Sequence, residues 1–77
     1  VDYVKTIELA KQLLPQLRKV IVVCGSSGEN LALLEDFKRE TKNNNIAEFE
    51  YWVGMPVQEM RDLARSVPID SIILYLV

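Results

Sequence analysis

The sequence has no histidine and a single cysteine, Cys24, among its 77 residues. Without histidine, the Ser-His and Cys-His pairs of nucleophilic catalysis and the His-containing metal clusters are excluded. A single cysteine cannot form a disulfide within the chain. These two absences exclude several large classes of enzyme and metalloprotein.

The chain also has no excess of positive charge and no long apolar run. Nine Lys and Arg and eleven Asp and Glu give a formal net charge of −2 without a basic cluster, so nucleic-acid binding is not expected. Apolar residues make up 49% of the sequence, too many for a disordered segment, yet no run approaches the ~20 residues of a membrane-spanning helix. No basic region leads into an apolar stretch at residues 1–5, as a targeting peptide requires. We expect one small soluble domain.

What the sequence does contain is three apolar runs that predict β-strands. Residues 20–23 are all β-branched, which is typical of a central strand covered on both faces. Residues 48–53 alternate, with Phe49, Tyr51 and Val53 on one face, which indicates a less buried edge strand. Residues 71–77 are again almost wholly apolar, and we place them on the far side of the first strand.

Helical spacing predicts a helix before the first strand and another after it. In the first helix, residues 4, 7, 10 and 14 share one apolar stripe, and the helix ends near Pro15. The second is predicted over residues 28–42, because residues 26–29 match a capping box in which Ser26 and Glu29 exchange hydrogen bonds with the helix start. The asparagines at 43–45 end it, since Asn tolerates the left-handed conformation.

A third helix is predicted between the second and third strands. Pro56 suits its first helical position, and Pro68 closes it. Four apolar positions at helical spacing are expected to face inward: Val57, Met60, either Leu63 or Ala64, and Val67.

These elements predict a three-layer α/β fold, with a short parallel sheet of order 2-1-3 and helices on both faces. The order follows from right-handed crossovers between the strands. Parallel sheets bind ligands at the carboxyl ends of their strands. In this order the direction of winding reverses between the first and third strands, so we expect a ligand site on the loops after the strands, with its crevice between the loops that follow these two. We also predict that residues 1–77 form a single partial α/β domain.

Cys24 lies where the first strand meets its loop. Backbone amides there could hold a phosphate, as in phosphocysteine enzymes. However, tyrosine phosphatases with the C-x5-R motif need Arg at position 30, which is Asn here. The B subunits of sugar phosphotransferase systems resemble Cys24-Gly25, but they usually carry a later Ser or Thr where this chain has Glu29. The alternative is a small buried thiol without chemistry.

The loop after Cys24 contains small polar residues that match neither a dinucleotide fingerprint nor a phosphate-binding P-loop. Ser26, Ser27 and Asn30 could hydrogen-bond a small polar ligand beside the helix amides. Alternatively, they only cap the helix.

On the second strand, the rings of Tyr51 and Trp52 could stack on a ligand, although packing against a neighbouring helix or domain is the simpler interpretation. The sequence places no further metal-ligating residues beside Glu48 and Glu50. We therefore interpret these two residues as the solvated edge of a strand.

Patterns of packing and turns recur in several segments of the chain: residues 2–10, 14–15, 18–27, 49–56, 60–63, 66–68 and 70–75. Together these segments resemble the type I periplasmic-binding-protein-like sensor region of some bacterial histidine kinases. They also resemble the related substrate-binding proteins of ABC transporters.

In that family, two α/β lobes close on a small ligand, and the loops after the strands line the cleft. The resemblance implies that Gly25, Ser26, Ser27 and Met55 lie nearest the ligand, and Asn30 joins them from the loop pattern. It also implies a flavodoxin-like arrangement, about half of one lobe, on the periplasmic or extracytoplasmic side of a membrane protein. We predict no cofactor and no metal.

Three functional hypotheses follow. The leading one is a noncatalytic fragment of an extracytoplasmic small-molecule-sensing domain of a histidine kinase, or of a substrate-binding protein. The second is a cytoplasmic phosphocarrier or phosphatase-like enzyme that uses Cys24. The third is a structural interaction module. We also expect the isolated chain to form homo-oligomers, because residues 72–77 combine apolar side chains with an unpaired strand edge.

Overall fold

The computed structural model describes residues 2–76 and has the α/β architecture that the sequence predicts. Helices and strands alternate along the chain. Their bounds are α1 Tyr3–Leu13, β1 Lys19–Cys24, α2 Gly28–Glu40, β2 Glu48–Val53, α3 Val57–Ala64 and β3 Ser71–Leu76. The prediction that the third strand includes Val77 lies outside the described residues.

The three strands form one parallel sheet in the order β2-β1-β3, as predicted. At the start of the pairing, Lys19 is aligned with Glu48 of β2 and with Ser71 of β3. The central strand β1 is buried from Val20 to its end, whereas β2 alternates between exposed and half-buried residues up to Tyr51 and then has a buried Trp52 and an exposed Val53. The apolar run and the alternating run therefore occupy the central and edge positions that their patterns indicate.

One face of the sheet is covered by α1 and α2 and forms the larger core. Phe37 of α2 is fully buried at its centre, and its ring makes edge-to-face contacts with Tyr3, Phe49 and Tyr51. The other buried members of this cluster are Ile7, Leu17, Val20, Val22, Cys24, Leu34 and Leu76.

The opposite face is covered by α3 and has a smaller core. Its buried members are Ile21, Val23 and Trp52, and Met60 and Val67 pack against them half-buried. No residue of α3 is itself buried. The sheet therefore has helices on both faces, which gives the three layers that were predicted.

The third helix departs from its predicted bounds and packing. Pro56 is the N-cap, one residue before the helix, and the helix ends at Ala64, four residues before Pro68. Val57 is 61% exposed, and both Leu63 and its alternative Ala64 are exposed. The prediction that these positions face inward is therefore wrong. The short helix lies over only part of the sheet and leaves its first turn uncovered.

The end of the second helix also differs from its prediction. It ends at Glu40, and Thr41 is the buried C-cap, whose hydroxyl donates to the carbonyl of Phe37 at 2.7 Å. Among the described residues, no residue other than glycine has a positive φ, so the predicted left-handed Asn is wrong. Instead, Asn44 Oδ1 accepts from the Ile46 amide at 2.9 Å and turns the chain.

Candidate functional site

The loops after β1 and β2 meet at the carboxyl edge of the sheet. The amide of Gly54 donates to the carbonyl of Cys24 at 2.9 Å, which extends the pairing of the two strands into their loops. Gly54 has φ +63°, and a Cβ built there would lie 3.0 Å from the Cβ of Ser26. Only glycine combines this left-handed backbone with so close an approach. The two loops therefore form one continuous surface.

The first turn of α2 begins at Ser27. Its hydroxyl accepts from the Asn30 amide at 3.2 Å, and its carbonyl accepts from the Leu31 amide at 2.9 Å. The predicted capping box had Ser26 in this role, which is wrong by one residue. Ser26 is instead exposed beside Gly54, and its hydroxyl is accessible to solvent.

Asn30 and Gly25 pack closely against each other beneath this surface, and both are half-buried. A Cβ at Gly25 would overlap the side-chain amide of Asn30. The Asn30 side chain can therefore occupy this position only because residue 25 has no side chain. The predicted residues Gly25, Ser26, Ser27 and Asn30 are thus brought together at one end of β1.

Cys24 is buried, with 4% of its surface exposed. Its thiol lies 3.2 Å from the carbonyl oxygen of Gly25 and 3.1 Å from that of Asn30. Both neighbours are hydrogen-bond acceptors, so they accept from a thiol and offer no donor to a phosphoryl group.

Met55 follows Gly54 in the second loop and is half-buried. It packs against the core cluster of Ile21, Val23 and Trp52 on the α3 face. Met55 therefore borders the loop surface and also contributes to packing below it.

The sequence interpretation missed a polar network on β1 and β2. Glu50 was interpreted as a solvated edge residue, but its carboxylate accepts from the indole N–H of Trp52 at 2.8 Å and lies 3.4 Å from Lys19 Nζ. These three side chains line a groove of about 280 Å³ under α3. Side chains alternate between the two faces of a strand, so Glu50 and Trp52 lie on the same face of β2. Their contact could have been predicted from this spacing.

A second groove, of about 300 Å³, lies between α3 and β3. Trp52 lines its floor, and Tyr75, which is 61% exposed, forms one wall. The remaining lining residues are Val57, Met60, Arg61, Ala64 and Ile73. This groove is mostly apolar and lies away from the residues at 25–30.

Tyr51 lies half-buried on β2. Burial raises the pKa of Tyr51 above its ordinary value, because the charged phenolate loses solvation. Its ring contacts Phe37, and Lys38 Nζ lies 4.8 Å from the ring centroid. Tyr51 is thus part of the α2 face of the core and is not positioned to stack on a ligand at the loops.

The part of the chain from 2 to 76 contains no group of three or more His, Cys, Asp or Glu residues that could hold a metal ion. Within the same residues, no helix combines the length and the apolar character needed to cross a bilayer.

Neither a protein-family model nor a curated protein nor a solved structure matches this chain.

Proposed function

We propose that this chain is a noncatalytic unit that binds a small polar ligand at the carboxyl edge of its sheet. In this proposal it belongs to an extracytoplasmic sensing domain of a membrane histidine kinase, or to a related ABC transporter substrate-binding protein. The observation that best supports the ligand site is the joined surface of the two loops, where the Gly54 amide donates to Cys24 and Gly54 lies against Ser26. The sensing domain is proposed from the resemblance of the sequence patterns alone. Open parallel sheets bind ligands at this edge.

The polar groups on this surface favour an uncharged ligand. Ser26 offers an exposed hydroxyl, which donates and accepts hydrogen bonds. The amides of Gly28 and Glu29 lie in the first turn of α2, where backbone N–H groups have no partner within the helix. The exposed carboxylate of Glu29 repels anions from the same turn. A neutral polyhydroxy compound, such as a sugar, fits this combination of donors and negative charge.

Binding at this edge would be converted into a signal by lobe closure. A ligand held between two lobes favours the closed state by the difference in its affinity for the closed and open states. The chain would supply one wall of the cleft, and a second lobe of the parent protein the other.

The proposal is tested by calorimetric titration of the chain with a panel of neutral monosaccharides and, separately, with inorganic phosphate. We expect a monosaccharide to bind and phosphate not to bind. Ser26→Ala is expected to weaken binding by about tenfold, since a buried ligand hydroxyl loses its partner. The matched control is Ser66→Ala, because the Ser66 hydroxyl donates to Leu63 after α3, away from the loops.

Unchanged affinity in Ser26→Ala, or binding of phosphate in preference to every sugar, would contradict the proposed site. Absence of any binding would contradict the proposed function of this unit.

The alternative enzyme that uses Cys24 gains no support from the thiol's surroundings. A phosphoryl acceptor needs access and hydrogen-bond donors, whereas Cys24 is buried and its thiol faces two carbonyls. We expect native Cys24 to react with iodoacetamide at least about a hundredfold more slowly than in the urea-unfolded chain, since burial protects thiols. Equal reaction rates in the native and unfolded chains would show that Cys24 is accessible, and would favour the hypothesis of an enzyme that uses this thiol.

A further inference from the structure

The outer edge of β3 carries backbone groups that point away from the sheet. Over the described residues, β3 pairs on one side, with β1. The Lys19 amide lies 3.5 Å from the Asp70 carbonyl at the start of this pairing. Because a parallel ladder repeats every two residues, the backbone groups of Ile72 and Leu74 face β1. The N–H and C=O groups of Ile73 and Tyr75 therefore face the outer edge.

The two edges of the sheet differ in charge. The β2 edge carries Glu48 and Glu50, both exposed, and charged side chains on an edge strand discourage pairing. The β3 edge, from Ser71 to Leu76, carries no charged side chain. Beside it, Tyr75 and Val57 are each 61% exposed. An uncharged edge with exposed apolar neighbours lacks the protection that the β2 edge has.

We propose that β3 pairs antiparallel with β3 of a second copy of this chain, about a two-fold axis, to give a six-stranded sheet. The distribution of charge selects this partner strand. Pairing β3 with β2 of another copy would place Glu48 and Glu50 beside a strand without positive charge. Pairing β3 with β3 places no charge at the junction, and a two-fold interface is closed.

The backbone also selects the register. A two-fold axis perpendicular to the sheet keeps the α3 face of one copy on the same side as the α3 face of the other. Odd-numbered residues of one β3 strand therefore lie opposite odd-numbered residues of the other. The outward amides and carbonyls of both residues are paired when Ile73 lies opposite the second copy's Tyr75. If Ile73 lay opposite its own equivalent, Tyr75 would lie opposite Ser71, whose amide already donates to the Pro68 carbonyl at 3.1 Å. Leu74 then lies opposite its own equivalent, as a closely spaced pair without hydrogen bonds.

This register also covers exposed apolar surface. On the α3 face, Ile73 of one copy packs beside Tyr75 of the other, a cross-strand pair of a β-branched and an aromatic side chain. On the opposite face, the two Leu74 side chains meet above the larger core, against which Leu74 already packs.

Sedimentation equilibrium of the ligand-free chain tests the association, and we expect a dimer of twice 8.8 kDa. Tyr75→Pro removes one outward N–H group from each copy but leaves the hydrogen bonds between β3 and β1 intact. Because the dimer loses these donors, we expect its Kd to rise by at least about tenfold. Val53→Pro is the matched control. Gly54 bonds to Cys24, so the alternating ladder directs the Val53 amide outward on the β2 edge. Circular dichroism verifies that both variants are folded.

Disulfide trapping tests the register without a proline. In a Cys24→Ser background, Leu74→Cys is expected to form a disulfide between copies with oxidised glutathione, because its Cα lies about 4.5 Å from its equivalent. Ile72→Cys lies opposite Leu76 of the second copy and is expected to stay reduced. A monomer at every concentration, loss of the dimer in Val53→Pro alone, or trapping at position 72 in preference to 74 would overturn the proposal. Because no ligand is present, these results are independent of the proposed ligand site.

Discussion

At the scale of single residues, Ser27 fixes where α2 begins. Its side chain accepts from the Asn30 amide, and its backbone accepts from the Leu31 amide. Ser26 stands one residue earlier, exposed, and contacts the turn at Gly54. Two adjacent serines therefore differ: Ser27 caps the helix, and Ser26 is exposed at the proposed ligand site.

Ser27→Ala is expected to lower the free energy of unfolding by about 1 kcal/mol, because the helix loses its side-chain cap. Ser26→Ala is expected to change it by less than about 0.5 kcal/mol, as for an exposed residue without such a bond. Urea unfolding monitored by circular dichroism measures both. A larger loss of stability in Ser26→Ala than in Ser27→Ala would indicate that Ser26 caps the helix, as the sequence predicted.

Tyr51 links stability to pH. Burial raises the pKa of Tyr51 above its ordinary value of 10.0, so the folded state retains the phenolic proton to a higher pH than the unfolded chain. The stability that this provides is fully present below pH 10 and is lost as the pH rises through the folded-state pKa.

The free energy of unfolding is compared between the native chain and Tyr51→Phe. We expect the native value minus the variant value to be constant from about pH 8 to about pH 9.5 and to fall as the pH rises from about 10 to about 11. Phenylalanine keeps the ring in the core but has no proton to lose. Urea unfolding at each pH provides the measurement. A difference that stays constant, or that grows, from about pH 10 to about pH 11 would show that Tyr51 does not titrate as burial requires.

At the scale of elements, the two helices that follow β1 and β2 are anchored unequally. α2 has a side-chain cap and buries Leu34 and Phe37. α3 has no side-chain hydrogen bond at its N-cap, buries no residue and spans eight residues. A helix with few buried contacts opens locally at a lower free energy.

Amide hydrogen exchange is expected to show this difference directly. We expect amides of α3 to exchange at least about tenfold faster than the central amides of α2, since α3 opens without disrupting the larger core. The central amides of α1, which is capped by Asp2 and buries Ile7, provide an internal control with slow exchange. Equal exchange rates in α2 and α3 would contradict the prediction that α3, which buries no residue, opens at a lower free energy than α2.

The elements also show which features of this fold follow from sequence. The run at 20–23 and the alternation at 48–53 predict a central and an edge strand because burial on one or two faces determines which side chains fit. The bounds of α3 could not be predicted in the same way. Val57 and Leu63 have the spacing of an inward stripe, but a short helix cannot bring both of them onto the sheet.

At the scale of the whole molecule, the topology brings the loops of β1 and β2 to one edge, while α3 and β3 border the apolar groove of about 300 Å³. The carboxyl edge of the sheet could be predicted as the place of the candidate site, since strand order and parallel direction follow from the pattern of runs. The predicted crevice between the loops after β1 and β3 depends on residues beyond Leu76, which lie outside the described residues. The contact of Gly54 with Ser26 could not be predicted, because it depends on a backbone conformation of the turn. The resemblance to sensor domains stays a prediction.

The most direct test of the account is an NMR titration of the isotopically labelled chain with the monosaccharide that binds best in calorimetry. We expect the largest amide shifts at residues 25–30 and 54–55, with the Trp52 indole N–H, which marks both grooves under α3, unchanged. The largest shifts at Trp52 and Tyr75, with the loop amides unchanged, would contradict a ligand site at the carboxyl edge of the sheet.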